Sequence, residues 1–271
     1  MTRGEEGGEV SAPSPVSRSL IPHQPSAPSD LRQALQAGAK QLGLLLLPGQ
    51  IDALLAYLAL IEKWNKVYNL TAVRDPKTML THHLLDSLAV VGPLLRQLAA
   101  MAYGLDGADE GQTGPLFRLL DVGSGAGLPG VVIAICCPHV QVDCIDTVAK
   151  KAAFINQVAA SLQLPKLRGL HNRVENLGLQ KPNEATREPL SQPHSQLYDV
   201  ICSRAFASLV DFTRLSDAAL KEGGVWLAMK AKNPVEELSA LGSAVDVFHV
   251  EQLAVPGLDA ERRIVWMRKS V

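Results

Sequence analysis

Residues 117–130, FRLLDVGSGAGLPG, constrain the fold more than any other stretch of the chain. Phe117, Leu119, Leu120 and Val122 make a short apolar run with Asp121 near its end, the pattern of a buried strand. Gly123, Gly125, Gly127 and Gly130 follow, so the backbone can turn tightly and a ligand or helix can approach it closely. Pro129 stands where the first turn of a helix tolerates it. A strand, a glycine turn and a helix in succession place a ligand at the carboxyl end of the strand. The spacing leaves two readings open. Gly125, Gly127 and Gly130 satisfy GxGxxG, a turn that seats a pyrophosphate on a helix N-terminus, while from Asp121 the same residues read DxGxGxG.

The rest of the chain supplies what such a unit needs. Apolar runs at 140–146, 167–170, 198–203 and 225–229 read as strands, alternating with helical patterns at 147–162 and 211–220, with Gly223 and Gly224 as a stop before the fifth strand. That alternation implies an α/β fold with a mostly parallel sheet covered on both faces. Stretches near 245–250 and 264–267 add two strands paired antiparallel, making seven. Residues 1–29 are rich in Ser, Pro and Gly and cannot bury enough surface to offset the entropy of ordering, so they are expected to form a disordered tail. An N-terminal helical lobe is expected over 30–102. Leu31, Leu35, Leu42 and Leu45 suit one helix face; Leu54, Leu55, Leu58 and residues 61–64 suit another, with Pro48 and Gly49 between. A third helix begins at Pro76, capped by Asp75, with Met79, Leu80, Leu84, Leu88 and Val91 as its core stripe. Residues 103–115 read as a linker, 116–271 as the ligand-binding domain, and Pro-rich 180–196 as an exposed insertion within it.

A net charge of −1 gives no overall attraction to nucleic acid, so such a partner would need a local basic face. Residues 147–173 and 262–271 each carry several Lys and Arg and no acid; each is either a binding face or a solvated surface with counter-charges elsewhere. The four cysteines form no CxxC pair and lie in or beside apolar runs, which points to buried thiols in a reducing cytosol and to no metal. No apolar run reaches bilayer length by inspection, and the acidic N-terminus lacks the pattern of a secretory signal.

Strand ends are where chemistry is expected. Asp146 follows Gly123 at about the 20-residue separation at which a carboxylate reaches a ribose, and it equally suits a helix N-cap. Arg204 suits a carboxylate or phosphate by bidentate pairing, or a structural ion pair. Lys230, Lys150, Lys151 and Arg173 suit phosphates. His83 and Asp86, three apart on a helix, could orient a substrate, bind a metal or pack the lobe, and Asn69 could line a site or cap a helix.

The segments WNKVYNLTAVRDP, HHLLDSL, LLDVGSGAGLPG, NRVEN, SRAFASL and MKAKNP, in that order, resemble the bacterial small-subunit (16S) ribosomal RNA guanine-N7 methyltransferases, once described as glucose-inhibited division proteins B. The resemblance runs from roughly residue 35 to the C-terminus. It implies a Rossmann-like methyltransferase sheet and an S-adenosylmethionine site formed by Gly123 and Leu128, Val174 and Glu175, and Arg204. Gly125 belongs to the same turn, Asp146 suits the ribose hydroxyls, and Val174 backbone groups suit the adenine edge. Arg204 and Lys230 would act by positioning and electrostatics, with no general base. Lys150, Lys151, Arg173 and Lys230 would grip RNA, and Asn69, His83 and Asp86 would line the acceptor side. The partner implied is small-subunit RNA or a ribosomal particle, met by a cytoplasmic monomer without a membrane. Two other readings stay open: a nicotinamide-dependent oxidoreductase, from the GxGxxG spacing, and a non-catalytic ribosome-associated RNA-binding module.

Overall fold

The computed structural model describes residues 29–103, 117–177, 197–204, 206–231 and 234–270. The expected tail up to residue 28, the linker beyond Tyr103 and the 180–196 insertion lie outside these residues. The chain opens with helices α1 (Ser29–Gln41) and α2 (Pro48–Tyr68). A nearly continuous helical run follows: α3 (Pro76–Met79), a π-turn segment (Leu80–Leu85), α4 (Asp86–Leu88) and α5 (Val91–Tyr103). Strands and helices then alternate as β1 (Arg118–Val122), α6 (Gly130–Cys136), β2 (Gln141–Asp146), α7 (Ala149–Ser161) and β3 (Leu167–His171). After a 3-10 turn at Val174–Asn176 come β4 (Tyr198–Ser203), α8 (Leu209–Ser216), β5 (Leu220–Lys230), α9 (Val235–Ser239), β6 (Val245–Leu253) and β7 (Arg262–Lys269).

The seven strands form one sheet in the order β3-β2-β1-β4-β5-β7-β6. The first five pair in parallel, and β7 runs antiparallel to both β5 and β6. Chain direction across the sheet reverses between β1 and β4, which opens a crevice at their carboxyl ends. Strand alternation sets what each face meets. Leu119, Cys144, Cys202, Leu227 and Ile264 share one core with α1 to α7, while Leu120, Ile145, Ile201, Trp226 and Val265 pack against α8. With both faces covered, β1, β2 and β4 are buried almost throughout.

Several expectations need correction. Leu45 is 95% exposed, because α1 stops at Gln41 before the helical stripe can carry it inward. Gly223 and Gly224 do not stop the chain ahead of the fifth strand. They lie inside β5, where the pairing with β4 jumps from Tyr198↔Leu220 to Val200↔Val225; Gly223, at φ +72°, takes up the irregularity. The run from Pro76 to Tyr103 spans 28 residues and is, by length and composition, apolar enough to cross a bilayer, contrary to the inspection of the sequence. Its apolar side chains are spent elsewhere: Met79, Leu80, Leu84, Leu88 and Val91 are all buried against the sheet and α2. Asp75 begins it as expected, with Oδ2 accepting from the Thr78 amide at 2.8 Å. All four cysteines are free; Cys137, Cys144 and Cys202 are buried, and burial pushes the Cys137 thiol up to about 12.

Candidate active site

The glycine turn sits at the crevice between β1 and β4. Gly123 donates from its amide to the Ile145 carbonyl at 2.9 Å, tying the turn to the end of β2. Gly123, Gly125 and Gly127 adopt φ of +67°, +60° and +90°, a region that side chains rarely enter. A Cβ at Gly123 or Gly125 would meet no atom of the described residues within 4 Å, so the turn opens onto a free cradle. Gly127 and Gly130 face inward instead. A Cβ on Gly127 would lie 2.5 Å from Val131 Cγ2, and one on Gly130 would lie 2.5 Å from Cys144 Sγ. Leu128 is buried between them.

Two buried groups hold this turn from below. Asp121 Oδ2 accepts from the Gly130 amide at 2.9 Å, and complete burial raises its pKa to about 7. Tyr57, brought up by α2 and fully buried, donates its hydroxyl to the Ala126 carbonyl at 2.6 Å and lies 3.2 Å from that of Gly127. Burial holds the phenol protonated. Nothing in the sequence singled out Tyr57, because its position in an apolar helix reads as core; the coincidence of a polar tip with a backbone turn exists only in three dimensions.

Asp146 stands at the end of β2 and reaches both its neighbours. Oδ1 accepts from the Val148 amide at 2.9 Å, ahead of α7, whose N-cap is Val148 with no side-chain cap bond, so Asp146 is not the helix N-cap; Oδ2 accepts from the Gly125 amide at 3.1 Å. Lys151 closes on the same oxygen at 3.3 Å, so it is turned toward the crevice and away from any outer phosphate face. Lys150 and Arg173 are exposed and make no ion pair among the described residues. Val174 is buried at the start of the 3-10 turn after β3, with Glu175 half-buried beside it.

Arg204, just past β4, lies against the helical run. Its Nη1 is 3.3 Å from Asp86 Oδ2 and donates to the His82 carbonyl at 3.1 Å. The π-turn makes that carbonyl accessible. In an α-helix the Asp86 amide would bond it, but here the amide is shared between the Thr81 and His83 carbonyls. Asp86, 2% exposed, also receives Arg262 Nε at 2.7 Å on its other oxygen. His83 faces Thr71, Nε2 to Oγ1 at 2.9 Å, and burial followed by the nearby Arg204 charge lowers its pKa, favouring the neutral ring. His83 and Asp86 are thus buried in a network, not paired on a helix surface, and among the described residues no group of three His, Cys, Asp or Glu could hold a metal.

Other expected site residues are placed differently. Lys230 at the end of β5 is bound to Glu237 at 2.7 Å with its side chain 13% exposed, because strand alternation points it to the α9 side of the sheet, opposite Arg204. Asn69 is exposed and ends α2 in a left-handed conformation; Asn65, one turn earlier, is the buried amide, accepting from the Thr71 amide and donating to the Val73 carbonyl. The second basic stretch meets acids from other parts of the chain: Arg262 meets Asp86, which it shares with Arg204, while Arg263 pairs with Glu261, Arg268 with Asp246 and Lys269 with Asp217.

A family profile described as rRNA small subunit methyltransferase G matches residues 50–265, more than half of the chain. A ribosomal RNA small subunit methyltransferase G of Albidiferax ferrireducens is 61% identical over 241 residues, which cover 89% of this chain and 98% of that protein. Proteins of the same name from a Polaromonas species and from Paracidovorax citrulli are 59% and 57% identical, covering 87% and 88% of this chain and 92% and 90% of theirs. The chain therefore belongs to the rRNA small subunit methyltransferase G family, the GidB family.

Proposed function

We infer that this chain transfers a methyl group from S-adenosylmethionine to N7 of a guanine in small-subunit ribosomal RNA. Family membership over residues 50–265 is the observation that carries the reading, and it leaves the nicotinamide reading without support. The free cradle over Gly123 and Gly125 fits such a donor. Gly123, Gly125 and Leu128 would hold it from the turn, Asp146, Val174 and Glu175 from the ends of β2 and β3, and Arg204 from β4. The donor supplies a methyl group on a cationic sulfur. Guanine N7 offers an in-plane lone pair and loses no proton on methylation, so the protein needs no general base and works by alignment and electrostatics. Exposed Lys150 and Arg173 suit backbone phosphates, and Asn69 and His83 suit the acceptor side. A cytoplasmic monomer acting on free RNA or on an assembled subunit completes the reading. Incubation with labelled donor and small-subunit particles from cells lacking the protein should label one guanine, and no labelling of either particles or free RNA would overturn it.

Tyr57 is expected to act on the donor site from beneath. Tyr57→Phe leaves the Ala126 carbonyl without its buried donor, a loss of about 1–2 kcal/mol. The KM for S-adenosylmethionine should rise about threefold to tenfold with kcat little changed. An unchanged KM in steady-state methylation assays would show that the turn keeps its shape without this hydroxyl.

A further inference from the structure

The family reaction gives the last turn of α2 no part to play. Gln50, in the first turn of α2, donates to the Ile135 and Cys136 carbonyls at the end of α6, both at 3.2 Å, while Tyr57 reaches Ala126 in the glycine turn from which α6 starts. α2 therefore runs antiparallel to α6 and rises toward the carboxyl edge of the sheet. Residues 58–68 carry it about 16 Å farther, past the level of the turn. Ile61 and Asn65 are its last buried positions, and the final turn leaves Val67 71% and Tyr68 38% exposed.

This end of the helix is firmly held. Asn65 Oδ1 accepts from the Thr71 amide at 2.9 Å and its Nδ2 donates to the Val73 carbonyl at 3.3 Å, which folds the following loop back onto α2. Tyr68 rests on Trp64 with ring centroids 5.1 Å apart, and Trp64 rests on Phe154 of α7 at 5.3 Å. One side of the Tyr68 ring is thus braced and the rest is open. A single exposed aromatic calls for no explanation, but the charges around this one do. Lys63 and Val67, four apart, run alongside Trp64 and Tyr68. Lys63 is exposed and makes no ion pair among the described residues, and Lys66 has only a 3.5 Å contact with Glu62 while its side chain stays 72% exposed. Lys150, exposed and unpaired, stands one turn ahead of Phe154 on α7. Because α7 descends from the carboxyl edge while α2 rises to it, Lys150 and Tyr68 both lie one turn beyond the Trp64 contact with Phe154, in the same direction. Exposed Arg74, in the loop that Asn65 holds, has no ion pair among the described residues either.

An open ring braced from behind and flanked by unspent cations suits a single-stranded nucleotide, whose base stacks on the ring while its phosphates take the lysines. A duplex offers no free base face, and an apolar protein partner has no use for the cations. We propose that Tyr68, braced by Trp64, is a stacking platform for an unpaired base of the acceptor RNA, with Lys63 and Lys150 beside it for the adjoining phosphates. The proposal deepens the RNA-methyltransferase reading above and rests on it. The glycine turn is held from α2 by Tyr57, about 16 Å farther back along the helix, so Tyr68 serves the acceptor and not the methyl donor.

The test is steady-state methylation of small-subunit particles by the full-length protein, with S-adenosylhomocysteine affinity measured in parallel by calorimetry. Tyr68→Ala should raise the KM for particles about tenfold and leave the S-adenosylhomocysteine Kd within twofold. The salt dependence of KM should be retained, because no phosphate contact is removed. Tyr68→Phe keeps the ring and should stay within twofold of the unsubstituted protein. Leu45→Ala, which removes an equally open apolar side chain beyond the opposite end of α2, should leave KM unchanged. Tyr68→p-azidophenylalanine, irradiated on the particles, should crosslink to RNA. An unchanged KM in Tyr68→Ala would overturn the platform, as would a loss of S-adenosylhomocysteine affinity equal to the rise in KM, or a crosslink to ribosomal protein alone. Should Tyr68→Ala fail to fold, the crosslink decides alone: a product without RNA overturns the proposal. Absence of methyl transfer by the unsubstituted protein would instead overturn the underlying reaction.

Discussion

Gly127→Ala is expected to lower stability by about 2–4 kcal/mol and to weaken S-adenosylhomocysteine binding at least thirtyfold. Two costs combine. A residue with a side chain at φ +90° is strained by about 1–2 kcal/mol, and the added methyl would lie 2.5 Å from Val131 Cγ2 and 3.3 Å from Ile155 Cγ1, an overpacking cost of about 1–3 kcal/mol. Relief requires moving α6 or the turn, and Gly123 and Gly125 of that same turn border the open cradle. Gly125→Ala separates the two effects. Its Cβ would project into open space, so it carries only the backbone strain while obstructing the cradle. Urea denaturation should therefore place Gly127→Ala well below Gly125→Ala, while calorimetric titration shows both impaired in binding. Equal denaturation midpoints for Gly127→Ala and the unsubstituted protein would refute the packing argument.

The same contrast explains how much of this protein its sequence discloses. The strand, glycine turn and helix at 117–130 were legible because glycine spacing is a local property, and the alternation of apolar runs predicted the parallel sheet with its antiparallel edge. Properties that depend on which face a residue takes were not. Arg204 and Lys230 both end central strands, yet alternation sends one to Asp86 and the other to Glu237. The basic stretch 262–271 looked unopposed along the chain, but Asp86, Asp246 and Asp217 reach it from distant elements. His83 and Asp86 gave the spacing of a surface pair, yet both are buried; the π-turn, which leaves the His82 carbonyl to Arg204, leaves no mark in residue type. Tyr57 is the clearest omission, an aromatic whose hydroxyl matters only because α2 crosses the turn.

Asp121 provides the second large effect, a dependence of stability on pH. Its carboxyl is completely buried, and burial outweighs the Gly130 amide bond and the more distant Arg204 charge, so the folded-state pKa is about 7 against 3.8 for the free side chain. The native protein therefore keeps a proton that the unfolded chain releases between those two values. Stability from this group is fully present below about pH 4, is lost as pH rises through 7, and is level above that. The interval corresponds to about 4 kcal/mol at most. Asp121→Asn keeps an oxygen for the Gly130 amide and cannot ionise, so the carboxamide removes the titration while leaving the contact. Urea midpoints of the two proteins, measured from pH 4 to pH 8, should converge on a constant difference above pH 7 and change steadily relative to each other below it. Any constant cost of the carboxamide moves the whole curve and cancels from this comparison, as do the other titrating groups the two proteins share. Parallel curves across the whole range would mean that Asp121 ionises in the fold as easily as in water, and that the glycine turn rests on a charged carboxylate from pH 4 upward.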